Sequence, residues 1–191
     1  MPSPSGSPLR HRASPWWLLL LAPFAACDRP TPAEPAAASA DPMTAETGVA
    51  DARVDSELAV LRRATARYHR IEAAIADGYV QILPCLEHPT EGGLGIPYAR
   101  LDRFDTTIDL SEPEILFYEP RSNGEFELVA AEPVVPAELW GGEPPTMFGR
   151  EFHHNVDHGL YGLHMWVWKS NPAGTFAFWN PRVSCAFEAG P

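Results

Sequence analysis

Between residues 51 and 78 the apolar positions Val54, Leu58, Leu61, Thr65, Tyr68, Ile71 and Ile75 recur three and four apart. That spacing predicts one amphipathic helix, with Gly78 as its stop. Arg62, Arg63, Arg67 and Arg70 lie mostly off the stripe, and His69 stands beside this basic, solvated face. Past Gly78 the period shortens. Residues 79–83 (YVQIL) predict a strand, and residues 88–97 (HPTEGGLGIP) predict a loop. Residues 115–118 and 126–129 predict the arms of a hairpin around PRSNG, where Asn123-Gly124 supplies positive φ. Residues 133–149, rich in Pro and Gly, predict a second long loop.

In residues 163–168 the alternation puts Leu163, Met165 and Val167 on one face of a strand and His164, Trp166 and Trp168 on the other. Both faces are largely apolar, so this strand is expected to be central and covered on both sides. A turn follows at 171–174, after which Phe176, Phe178 and Trp179 return toward the sheet. The pattern is that of an α+β fold, an N-terminal amphipathic helix packed on a mainly antiparallel sheet, with a single domain over 51–191.

The first 26 residues carry a different signal. Arg10, His11 and Arg12 precede an eleven-residue apolar run, 16–26, too short to span a bilayer and suited to an export leader. The run ends in Phe24-Ala-Ala-Cys27, which resembles a bacterial lipobox. The resemblance implies cleavage before Cys27, lipidation of its thiol, and attachment to a membrane at the periplasm or cell surface. Cleavage after Ala26 without lipid is the alternative. Residues 27–50, mostly Pro, Ala and small polar residues, read as a disordered tether.

Cysteine and charge narrow the setting. With Cys27 lipidated, Cys85 and Cys185 remain as a pair expected to join in an oxidising compartment. Two unpaired thiols are the alternative. The chain holds 25 acidic residues against 14 basic ones, a formal charge of −11. Loss of the leader would remove Arg10 and Arg12 as well. Such a balance argues against nucleic acid and against anionic head groups as partners. A membrane reached through the anchor, an envelope protein, or a small ligand remains open.

Chemistry concentrates in residues 152–168, FHHNVDHGLYGLHMWVW. His154 and His158 are four apart, but Asn155 stands where a zinc protease carries its general-base Glu. His153, His154, His158 and His164, with Glu151 and Asp157 among them, are a candidate Zn or Cu site, and His88 could join it. Loop histidines on an acidic surface are the competing account. His164, Trp166, Trp168 and Trp179, with Phe176 and Phe178, either line a ligand pocket or fill a core. No G-x-S-x-G and no phosphate-cradling glycine motif is present, so nothing here commits to a reaction.

Several segments together carry a wider resemblance. Gly78-Tyr79, Cys85, residues 92–98 (GGLGIPY), 113–120 (PEILFYEP), 147–152 (MFGREF) and 163–185 (LHMWVWKSNPAGTFAFWNPRVSC) resemble a family of exported bacterial proteins of no known activity. The likeness runs from about Ala64 to Cys185. It implies export, and since the family has no known activity it carries over no catalytic residue. One departure is Pro97, where the family pattern leads to a histidine. The expected role is therefore a lipid-anchored envelope protein that binds or supports. The alternative is a metal-binding protein or metalloenzyme using residues 151–164.

Overall fold

The computed structural model describes residues 42–188, so the leader, Cys27 and the first part of the expected tether lie outside the described residues. Helix α1 spans Pro42–Thr65 and begins inside the segment expected as tether. Pro42 at the first helical position explains this, since its missing N–H would have had no partner there.

The expected single helix is broken. A 3₁₀ turn, Ala66–His69, follows α1, Arg70 is extended, and α2 covers only Ile71–Ala76. The sheet causes the break. Tyr118 Oη donates a 2.7 Å hydrogen bond to the Tyr68 carbonyl, which a continuous helix would have kept for itself. The Tyr68 hydroxyl in turn donates to Asp77 Oδ2 at 2.8 Å. Beyond the break the buried stripe slips by one residue: Ala74 is fully buried while Ile75 is 53% exposed. Gly78 ends the helix at φ +93°, with the Tyr79 N–H reaching the Ala74 carbonyl at 3.0 Å.

The main sheet has five strands: β1 (Val80–Gln81), β2 (Leu86–His88), β3 (Gly92–Ala99), β4 (Ile115–Pro120) and β5 (Phe126–Glu132). All pairs are antiparallel, in the order β1-β3-β4-β5, with β2 also pairing β3. The β4–β5 hairpin lies where the sequence placed it, but its turn has positive φ at Gly124 alone and not at Asn123. The Asn123 side chain instead accepts from the Glu125 N–H at 3.0 Å. The larger difference is β3. The glycine-rich stretch expected as a loop is the central strand, because glycine lets other backbone approach closely. A Cβ at Gly93 would lie 2.9 Å from Val183, and Gly93 exchanges backbone hydrogen bonds with Asn180.

The expected loop at 133–149 is also structured. It contains β6 (Val134–Pro136), one helical turn α3 (Ala137–Trp140) and β7 (Thr146–Met147). β7 pairs with β8 (Arg150–Glu151), while β9 (His153–Asn155) and β10 (Leu160–Gly162) join β6 in the order β6-β10-β9. Beyond β10 the chain makes a single bridge, Met165 to Ala131, and then bends at residues 167–169, where the Val167 N–H turns back to the Met165 carbonyl at 2.9 Å, in place of the expected central strand. A bulge in β5 explains it. The N–H groups of both Trp168 and Lys169 converge on the Val129 carbonyl, and the regular ladder stops.

Alternation along β4 divides the core. Leu116 and Tyr118 face the helices, with Leu58, Leu61, Tyr68 and Met165. Ile115 and Phe117 face the other way, with Val129, Ala130, Trp166 and Val183. The C-terminal segment closes this second face. Cys85 and Cys185 are joined, with S–S 1.97 Å and a sequence separation of 100. Chain entropy assigns such a closure about 4–5 kcal/mol. The buried Glu119 carboxylate accepts from the Ser184 N–H at 3.0 Å and pairs with Lys169.

Candidate functional site

The aromatic strip divides between the two faces. Trp168 turns to the helices: its Nε1–H donates to Thr65 Oγ1 at 3.0 Å, and its ring meets His69 at 4.2 Å. It therefore lies away from the pocket expected for it. Trp166 is buried on the opposite face and donates to the Ala177 carbonyl at 2.6 Å. Trp179 stays near that face, edge-on to Phe178 at 5.1 Å.

His164 differs from all of these. It is 4% exposed, packed between Phe117 at 4.6 Å and Trp166 at 4.5 Å. Neither ring nitrogen has a hydrogen-bond partner among the described residues. Its Nδ1 lies 3.6 Å from Glu132 Oε2, close enough for attraction and too far for a hydrogen bond. Buried polar atoms are nearly always satisfied, so a fully orphaned imidazole needs a reason.

Glu132 is the group that sequence reasoning missed. It ends β5 with its carboxylate against Gly162, where a Cβ would collide with Oε1. That glycine makes room for the acid. An acidic residue at a strand end ordinarily points to water, and its sole sequence signal is its place in the apolar run 128–135.

Two cavities adjoin the pair. The inner one, about 60 Å³, is walled mainly by apolar side chains such as Leu94, Ile115, Phe117 and Val134, with Glu132 on its wall. The outer one, about 620 Å³, is lined by His164 and Trp179 and rimmed by Glu91, Arg150 and Glu151. His153, Gly162 and Phe178 line both. The β7–β8 hairpin borders the outer cavity. Its turn holds Phe148 in the left-handed region at φ +56°, where a bulky residue is strained. The Phe148 ring lies 5.3 Å from Phe176, over which Arg150 sits.

The four histidines proposed as metal ligands do not assemble. The HNVDH spacing falls on a β-hairpin instead of a helix, and strand alternation sends neighbours to opposite faces. His153 meets Phe178 at 5.1 Å, His154 meets Tyr161 at 4.6 Å, and His158 lies 3.1 Å from Asn155 Oδ1. His88 lies against Trp179 at 5.5 Å. Among the described residues no three His, Cys, Asp or Glu side chains converge on a point that could hold a metal ion.

Two acids are buried among the described residues, Glu119 and Glu114. Glu114 is 3% exposed and accepts from the Val134 N–H at 2.9 Å. Burial pushes its carboxyl up to about 7, against the opposing pull of that N–H and of Arg103. This group ties the start of β4 to β6 and touches neither cavity.

No family model matches the chain, and neither the curated proteins nor the solved structures offer a similar one.

Proposed function

We propose that this chain is an exported, lipid-anchored envelope domain whose folded part binds a small ligand at His164 and Glu132. The observation that carries the reading is the buried imidazole with both nitrogens unpaired among the described residues, beside a carboxylate and two cavities. An arrangement kept only for stability would fill that position with an apolar ring. A ligand that supplies the absent hydrogen bonds gives the histidine a purpose. Export and anchoring are supported by the apolar run before Cys27 and by the pairing of the other two cysteines.

The test is His164→Phe. His164→Phe removes a buried group whose nitrogens hydrogen-bond to nothing among the described residues, and the Glu132 carboxylate 3.6 Å away loses no hydrogen bond, so it is expected to raise stability by about 1–2 kcal/mol. It is read as a higher urea midpoint with an unchanged slope. A clear loss of stability would mean that the imidazole holds the fold together, and the binding reading would fall. The cellular address is tested separately. Radiolabelled palmitate should enter the full chain and not its Cys27→Ala variant; labelling of both, or of neither, refutes the anchor.

A further inference from the structure

The preceding reading leaves the ligand's chemistry open. Resting on that reading, we infer that the site takes a short-chain aliphatic amine, its ammonium group on Glu132 and its alkyl end in the inner cavity.

Charge is the first argument. Glu132 lies against a mainly apolar wall, and no Lys or Arg among the described residues reaches it; its one ion-pair partner within 4 Å among them is His164, while His153 and His158 line the same inner cavity. A carboxylate in such a place is costly without a cation. The outer rim adds Glu91 and Glu151 against the single Arg150, so the approach also favours positive charge. The whole chain, at a formal −11, points the same way.

Hydrogen-bond type is the second. A carboxylate only accepts, and a neutral imidazole has one accepting nitrogen. An ammonium group brings three donors and no acceptor. It can therefore donate to Glu132 and to the accepting nitrogen of His164 together, which a carboxylate ligand cannot, and the imidazole N–H is left to an acceptor elsewhere on the ligand.

Size is the third argument. Cavities that admit benzene measure on the order of 150 Å³. The inner cavity measures about 60 Å³, so it excludes a ring and leaves room for a few carbon atoms. The head group and any larger remainder would then lie toward the outer cavity.

The experiment titrates the full chain, purified in detergent, with isobutylamine, isobutanol, isobutyrate and benzylamine. It follows the methyl NMR signals of Leu94, Ile115 and Val134 on the inner wall. Isobutylamine should shift them saturably. Glu132→Gln should weaken that binding on the order of 10- to 100-fold, as loss of a charged hydrogen bond does. Gly162→Ala, which displaces the Glu132 carboxylate while keeping its charge, should weaken it as well, with thermal melts confirming that both variants fold. Isobutanol, isobutyrate or benzylamine binding as tightly as isobutylamine would overturn the short-chain amine class and leave the site standing. Undiminished amine binding in Glu132→Gln would overturn the class in the same way. No saturable shift from any of the four would overturn the site along with its ligand.

Discussion

The two faces of the main sheet are built to different standards. On the helix face the buried polar groups find partners. Tyr79 donates to the Pro113 carbonyl at 2.6 Å, Tyr118 to Tyr68, Trp168 to Thr65, and Thr65 to the Leu61 carbonyl at 2.8 Å. On the opposite face His164 has no partner among the described residues, and a cavity runs beneath Phe117 and Phe178. The first face has the character of a stabilising core whose buried polar groups are satisfied; its open space lies at the rim, in a groove of about 680 Å³ between α1 and the β7–β8 turn. The second leaves polar atoms and space unspent, which is how ligand sites differ from cores.

Reduction of the Cys85–Cys185 bond is the most drastic way to probe that contrast. It should lower stability by about 4–5 kcal/mol on the chain-entropy estimate. Hydrogen exchange should show protection lost first at Gly93, Asn180 and Val183, which exchange backbone hydrogen bonds beside the bond, with α1 opening later. Simultaneous loss on both faces would show that they are one cooperative unit, and the contrast would be only geometric.

The next effect belongs to pH. The Glu114 carboxyl titrates near 7 in the folded chain and near 4.5 when unfolded. Its folded-state value is raised, so its contribution is complete below about pH 4.5 and fades as pH rises through 7. The change approaches about 3 kcal/mol across that window. Glu114→Gln should flatten that stretch of the stability profile, measured by urea unfolding at several pH values. An unaltered profile would place the titrating group elsewhere.

The smallest effect is the gain expected from His164→Phe, and it sharpens the comparison through its sign. A buried polar group on the helix face, such as Tyr118, lends stability through its bond to Tyr68. His164 is expected to subtract it.

Much of the architecture was legible. The helical stripe through Leu58, Leu61, Thr65 and Tyr68 is buried as its spacing implied. The hairpin around Gly124 and the α+β class also follow from local pattern. The misreadings share one cause. The break at Arg70 answers to Tyr118, fifty residues beyond Tyr68. β3 is a strand because Asn180 and Val183 pack on its glycines. Trp168 leaves its expected face because Val129 bulges.

Site residues followed the same rule. His164 stood out as a polar residue in an apolar run. Glu132 and Gly162 did not, since nothing local distinguishes an acid that faces a cavity from one that faces water. The sequence alone determined the periodicities, the charge and the candidate sulfur pair, because these depend on neighbours three or four residues away or on composition. Tertiary structure decided which histidine is buried, which acid stands beside it and where space remains. Those outcomes come from contacts between segments distant along the chain, whose packing no local pattern encodes.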